Sequence, residues 1–283
     1  MIAPRQSISS EDVARHYDEL DAFYRELWGE HVHHGLWLTG METPEQAAQQ
    51  LVERVAQAAA IRTRSTVCDI GCGYGATARW LATEHQAQVT GITVSPHQHR
   101  YAQAQSVDGV PPPTYLLQDW LHTTLPEHAF DAALFIESLA HMEAKQEAIA
   151  RAHRVLRPGG RIVACVWLAA PYAPAWTQRF LLEPICYEGQ LPSLPTAEAY
   201  QQWLRAAGFI DLRYEDISTK VQRTWTVVIQ RVLSALVRRS DYRRYLLSHA
   251  QHNRRFALTL IRLWLAFRAE AFRYGVLSAQ KPS

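Results

Sequence analysis

No stretch of this 283-residue chain approaches the roughly 18 consecutive apolar residues that a membrane-spanning helix requires. The opening residues, Met1 to Ser7, lack the apolar core of a secretory signal, so the expected compartment is the cytoplasm. Cysteine is scarce. Cys68, Cys72, Cys165 and Cys186 form no CxxC pair, which argues against a zinc ribbon or a disulfide framework and for free buried thiols. There is no internal repeat and no low-complexity segment. The Asn/Asp-Pro-Pro-Tyr tetrapeptide associated with chemistry on nucleic-acid bases is also missing, so no nucleic-acid partner is expected. Net charge is only +2, yet acids are nearly absent from one region: residues 221–283 hold 12 of the 29 basic residues and two of the 27 acids. Such a segment suits an anionic membrane surface or a phosphorylated substrate. The alternative is a solvated helix face paired with acids elsewhere.

What the chain does have is Val67-Cys-Asp-Ile-Gly-Cys-Gly-Tyr-Gly75, an apolar run entering a glycine-rich turn, with a helical pattern from Ala76 onward. Glycine permits close backbone approach to a ligand, and the helix start behind it presents unpaired N–H groups. Gly71, Gly73 and Ala76 also satisfy the dinucleotide spacing G-x-G-x-x-G/A. Asp69 separates the readings. A carboxylate two residues before the first glycine repels a pyrophosphate but accepts hydrogen bonds from an ammonium. That favours S-adenosylmethionine over a nicotinamide or flavin dinucleotide, with a ligand-free turn as the bland alternative. The second strand supports the choice. Gly91-Ile-Thr-Val-Ser95 offers no acid where dinucleotide folds place one for the ribose.

Strand and helix patterns alternate along the chain: strand 66–70, helix 75–84, strand 88–93, helix 96–106, strands 114–118 and 131–136, helix 143–156 and strand 161–167. Ahead of them lie helix 11–29, which Ser9 or Ser10 caps, a loop 31–40 and helix 44–60. Arg157-Pro-Gly-Gly160 reads as a turn. Helix 196–207 ends at Gly208, strand 210–217 follows, and 221–274 is mostly helical with Phe256, Leu260, Leu263, Trp264 and Phe267 on one face. Gly275 stops that helix before a short last strand, 276–280. The expected fold is α/β, a doubly wound, Rossmann-like, mostly parallel seven-stranded sheet in one domain. Residues 1–40 act as an N-terminal lid, and insertions 168–195 and 219–274 form a helical cap.

Several further segments carry a family resemblance: His16-Tyr-Asp18, Leu27-Trp-Gly-Glu-His-Val-His-His-Gly-Leu-Trp37, Gly91-Ile-Thr-Val-Ser-Pro-His-Gln98, Ile136-Glu-Ser-Leu-Ala-His-Met142, Arg154 to Gly160 and Gln280-Lys-Pro282. With the glycine turn they resemble the class I S-adenosylmethionine-dependent methyltransferases, and within them the γ-tocopherol methyltransferase-like group, over nearly the whole chain. The resemblance implies cofactor contacts from Tyr17, Asp69, Gly71, Cys72, Gly73, Thr93, Ser95, Gln98, Asp119 and Trp120. Asp119 would meet the adenine amino group, Trp120 would flank the ring, and Tyr17 would close over the methionine end. The structural alternatives are a capping Asp119, a core Trp120 and a Tyr17 that only packs helices.

Methyl transfer requires alignment of nucleophile, methyl and sulfur more than it requires a base. Glu137 and His141, at the end of the fourth strand, are the expected catalytic pair. Glu137 would hold a substrate hydroxyl or steady a neighbour, and His141 would act as general base. Related sugar O-methyltransferases carry an Asp near the end of the fifth strand, but Ala164-Cys-Val-Trp-Leu168 has no carboxylate. Trp176, Phe180, Leu181, Trp203, Trp225 and Trp264 give the cap an aromatic character. The expected acceptor is therefore small-molecule and apolar: first a carbon of a prenylated aromatic or terpenoid, then an indole-type amine, then an oxygen. His31, His33 and His34 lack the Cys or carboxylate partners of a zinc site, so no metal is expected.

Overall fold

The computed structural model describes residues 2–4, 7–107, 109–238 and 253–283. The helix expected across 239–252 and the side chains of Phe23 and Phe256 lie outside the described residues. Seven strands form one sheet: β1 Thr66–Ile70, β2 Gln88–Thr93, β3 Thr114–Leu117, β4 Phe130–Ile136, β5 Leu156–Ala169, β6 Ile210–Asp216 and β7 Phe272–Gln280. Their order is β3-β2-β1-β4-β5-β7-β6. The first five are parallel, and β7 runs antiparallel between β5 and β6.

Burial on both faces explains the continuous apolar strands. Along β4, Ala132, Leu134 and Ile136 join one hydrophobic cluster, while Ala133 and Phe135 join the other. The first cluster takes Leu51, Val52 and Val55 of helix α3 (Pro44–Ala58) and Leu81 of α4 (Ala76–His85). Ala102 of α5 (Pro96–Ala104) packs there too. The second takes Ile149 and Val155 of α6 (Lys145–Val155) and Tyr200 and Leu204 of α7 (Ala197–Ala206). All four cysteines are buried free thiols.

Three sequence expectations need correction. The N-terminal helix is two, α1 Ser10–Glu19 and α2 Asp21–Leu27. Ser9 caps α1 in a reciprocal box with Asp12. The break at Leu20 buries its side chain with Tyr24 and Tyr74, and Tyr74 donates its hydroxyl proton to Asp21 Oδ1 at 2.7 Å. Second, Arg157–Gly160 is a bulge within β5, between the pairs Phe130–Leu156 and Ala132–Arg161. Third, Gly275 stops no helix. The last helix ends at Arg268, and β7 begins at Phe272. Gly275 lies mid-strand under the Tyr214 ring, where a Cβ would overlap the ring.

The cap comprises a helical run over 175–188 together with α8 (Arg223–Arg238) and α9 (Asn253–Arg268). Among the described arginines of the basic segment, Arg231 pairs with Glu45, Arg262 with Glu188 and Arg273 with Glu270. No helix among the described residues is long and apolar enough to cross a membrane.

Candidate active site

The carboxyl ends of β1, β2 and β4 meet where strand order reverses, the usual ligand position in an open α/β sheet. A cavity of about 280 Å³ opens there. Asp69, Gly71, Cys72 and Gly73 line it from β1, Thr93 and Gln98 from the β2 side, Asp119 and Trp120 from the loop after β3, and Glu137 and His141 from beyond β4. Tyr17 of the lid covers it. Of the expected site residues only Ser95 is absent from the lining. Its hydroxyl caps α5 by accepting from the Gln98 N–H at 3.0 Å, and donates to Asp18 Oδ1 at 2.5 Å. Ser95 thus fastens α1 of the lid to the sheet.

The glycine turn is shaped by contact. Gly71 has φ +79°, and a Cβ there would overlap the Ser138 side chain. The N–H groups of Gly71 and Cys72 both donate to the Ile92 carbonyl, at 2.8 and 2.9 Å. The Cys72 thiol lies against Gly91, under the turn, and burial pushes its pKa well up. Asp69 is buried with no partner on Oδ2 among the described residues, and burial raises its pKa to about 7. An orphan carboxylate beside a bare glycine turn fits the ammonium of S-adenosylmethionine. Gln98 is held by its own Oε1, which accepts from Thr93 Oγ1 at 2.9 Å, and its Nε2 is 4.0 Å from where a Gly73 Cβ would stand. Asp119 Oδ1 accepts from the Leu121 N–H at 2.9 Å. Trp120 donates to the Ala148 carbonyl at 3.0 Å, packs on Phe135 and is 2% exposed. Both follow their structural alternatives while still bordering the cavity.

His141 Nδ1 donates to the Gln190 carbonyl at 3.0 Å, because a carbonyl can only accept. That fixes the lone pair on Nε2, which accepts from the Tyr17 hydroxyl at 3.0 Å. Burial lowers the His141 pKa to about 4, so the ring is neutral near pH 7. The carboxylate missing from β5 has a different address. Glu137 has φ +65°, and its Oε1 accepts from the His34 N–H (2.6 Å), His34 Nδ1 (2.9 Å) and the Tyr274 hydroxyl (2.8 Å). Its Oε2 accepts from Trp167 Nε1 at 2.9 Å. Burial works to raise the Glu137 pKa, but the adjacent His34 and its donors, with His33, bring it down to about 2. Of its two expected roles, this geometry favours steadying neighbours over holding a substrate hydroxyl. Trp37 anchors the lid loop by donating to Thr224 Oγ1 at 3.0 Å. His31 and His33 bond to each other at 3.2 Å, and no group of three or more metal-ligating side chains occurs among the described residues.

The sequence pattern did not single out His34, Asp18, Gln190 or Tyr274 as site residues. The His-rich loop gave a signal for His34 and the His16-Tyr-Asp18 motif one for Asp18; Gln190 and Tyr274 become visible through long-range pairing.

Residues 68–164 match the methyltransferase domain family. Over 274 residues the chain is 31% identical to the 27-O-demethylrifamycin SV methyltransferase of Amycolatopsis mediterranei, covering 96% of this chain and 97% of that protein. The chain is a class I S-adenosylmethionine-dependent methyltransferase. The chloroplastic tocopherol O-methyltransferase of Arabidopsis thaliana is 26% identical, covering 95% of this chain and 82% of its own. Among solved structures, the [4+2]-cyclase SpnF is similar with a TM-score of 0.77 and 25% identity, covering 100% of this chain and 99% of that one. The mycolic acid cyclopropane synthase CmaA1 complexed with S-adenosylhomocysteine shares the fold at TM-score 0.85 and 20% identity, covering 98% and 99%.

When bound, S-adenosylmethionine supplies this methyltransferase with an electrophilic methyl on a sulfonium. Asp69 and the Gly71–Gly73 turn would hold its amino-acid end, and Gln98 and Asp119 lie in reach of the rest of the cavity. Tyr17 lines the cavity, and His141 keeps a neutral lone pair behind that hydroxyl. Tyr17→Phe removes the lid's bond to His141. Since one such bond is worth about 0.5–1.5 kcal/mol, S-adenosylhomocysteine should bind about two- to tenfold more weakly by calorimetry. Unchanged affinity would mean that the lid closes without this bond.

Proposed function

We propose that the chain transfers methyl to a hydroxyl of a bulky, largely apolar small molecule. The observation that carries this reading is the pair of imidazoles beside the cavity, His141 behind Tyr17 and His34 on Glu137. An alcohol or phenol must lose its proton during transfer, whereas an amine attacks through a free lone pair. The relatives named above support oxygen, since their names specify O-methylation or an O-demethylated substrate. The cap aromatics support an apolar acceptor.

Transfer to a carbon of a prenylated aromatic or terpenoid is the second reading. It is favoured by the uncharged aromatic faces of Trp167, Trp225, Phe267 and Phe272, which suit positive charge building on a carbon nucleophile. The test offers purified protein methyl-labelled S-adenosylmethionine with a prenylated hydroquinone, a hydroxyl-free terpene and an indole amine. Labelled methyl ether from the hydroquinone is the expected product. Label only on carbon would transfer the reading to the second class, and label only on the indole nitrogen would sink both.

A further inference from the structure

His34 is 1% exposed, and its Nε2 has no hydrogen-bond partner among the described residues. Its tautomer is fixed. The Glu137 carboxylate accepts from Nδ1, so in the neutral form of the ring the hydrogen sits on Nδ1 and a lone pair stands at Nε2. Four rings stand around it: Tyr274 at 4.8 Å between centroids, Trp225 at 5.0 Å, Trp167 at 5.6 Å and Phe267 at 5.9 Å. The Trp225 indole N–H is likewise buried without a partner among the described residues. Among the described residues, an acceptor and a donor thus go unpaired at one aromatic box. The floor of the box, Glu137, also lines the cofactor cavity. His141 differs on each count, because its Nε2 is occupied by Tyr17 and its other nitrogen rests on a carbonyl.

We propose that this box is the acceptor site, and that His34 Nε2 takes the proton of the acceptor's hydroxyl. The inference rests on the hydroxyl-methylation reading and names its site. The acceptor it fits is an uncharged, ring-bearing phenol or alcohol, with the Trp225 N–H donating to an oxygen lone pair. The Glu137 carboxylate behind the imidazole disfavours an anionic acceptor. As the acceptor oxygen bonds to the methyl carbon, the carbon–sulfur bond breaks with its electron pair left on sulfur, and the hydroxyl proton passes to Nε2. The imidazolium then lies on the Glu137 carboxylate, and the bond at Nδ1 joins two opposite charges. For the ring to enter, Trp225 and Phe267, both buried, must be displaced.

Two measurements test this. In the first, ¹⁵N-histidine-labelled protein saturated with S-adenosylhomocysteine is titrated with phenol. The His34 Nε2 resonance should move upfield as its lone pair gains a donor. A signal left unmoved at saturating phenol overturns the proposal, whatever the natural acceptor proves to be. In the second, His34→Gln and His34→Ala are assayed on the acceptor that the wild-type chain methylates. Loss of kcat by about 100-fold or more is expected, with S-adenosylhomocysteine affinity retained and partial rescue of His34→Ala by added imidazole. A His34→Gln protein within a few-fold of wild type overturns it. If both variants fail to fold, the titration on wild-type protein decides. Failure of the hydroxyl reading shows separately, as wild-type label on carbon or nitrogen.

Discussion

Asp69→Asn should weaken S-adenosylhomocysteine binding about 100-fold and leave the fold at least as stable. A hydrogen bond to a charged group contributes about 1.5–3 kcal/mol, and each 1.4 kcal/mol is about tenfold in affinity. The stability clause follows from burial. The Asp69 pKa is raised from 3.8 to about 7 in the fold, so its carboxyl favours the folded state when protonated. That favour is complete below the unfolded pKa and is lost as pH rises through about 7. Asparagine carries no such dependence and should match or exceed the wild-type Tm above pH 7. Binding has the opposite slope. Below pH 7 the carboxyl must release its proton to meet the ligand's ammonium, so wild-type Kd should rise about tenfold per pH unit below 7 and level off above it. The asparagine variant should lack this slope. Calorimetry from pH 5 to 8 reads both, and equal affinity of the two proteins would remove Asp69 from the cofactor site.

Glu137→Ala should lower stability by about 3–5 kcal/mol, because breaking a buried charge network leaves its partners uncompensated. The orphans would be the His34 N–H groups, the Tyr274 hydroxyl and the Trp167 indole N–H, contributed by the lid, β7 and β5. At about 2–4 °C per kcal/mol the Tm should fall by about 10 °C, read by calorimetric melting. The sign of the pH dependence is that of a depressed carboxylate. The Glu137 contribution is fully present above pH 4.5 and lost as pH falls through about 2, so the variant and wild type should converge in acid. A Tm within 2–3 °C of wild type at pH 7 would mean that the donors find other acceptors.

Much of the cofactor half was legible in the sequence, because its signals are local. The β1 apolar run, the glycines and the Thr93–Gln98 step each lie within a few residues of what they shape. The sequence was silent where a side chain serves a distant segment. The bond from Ser95 to Asp18, 77 residues away, left no local signal. Glu137 gathers donors from positions 34, 167 and 274, and no periodicity records that convergence. The start of β7 was hidden because Phe272 and Tyr274 suit a helix as well as a strand. Only pairing with β5, from Ala169–Phe272 to Arg161–Gln280, decides the matter.

The two cap segments hang from one edge of the sheet, the first between β5 and β6 and the second between β6 and β7. Their ends are pinned by strand pairing, so each behaves as a closed loop. The entropy of closure grows only with the logarithm of length, about 0.6 kcal/mol for each doubling. Lengthening or exchanging either cap segment therefore costs little closure entropy. The turn at Gly71, pressed on Ser138, has no such freedom. The molecule joins a half that tolerates little change to a half whose loops can be rebuilt at little entropic cost.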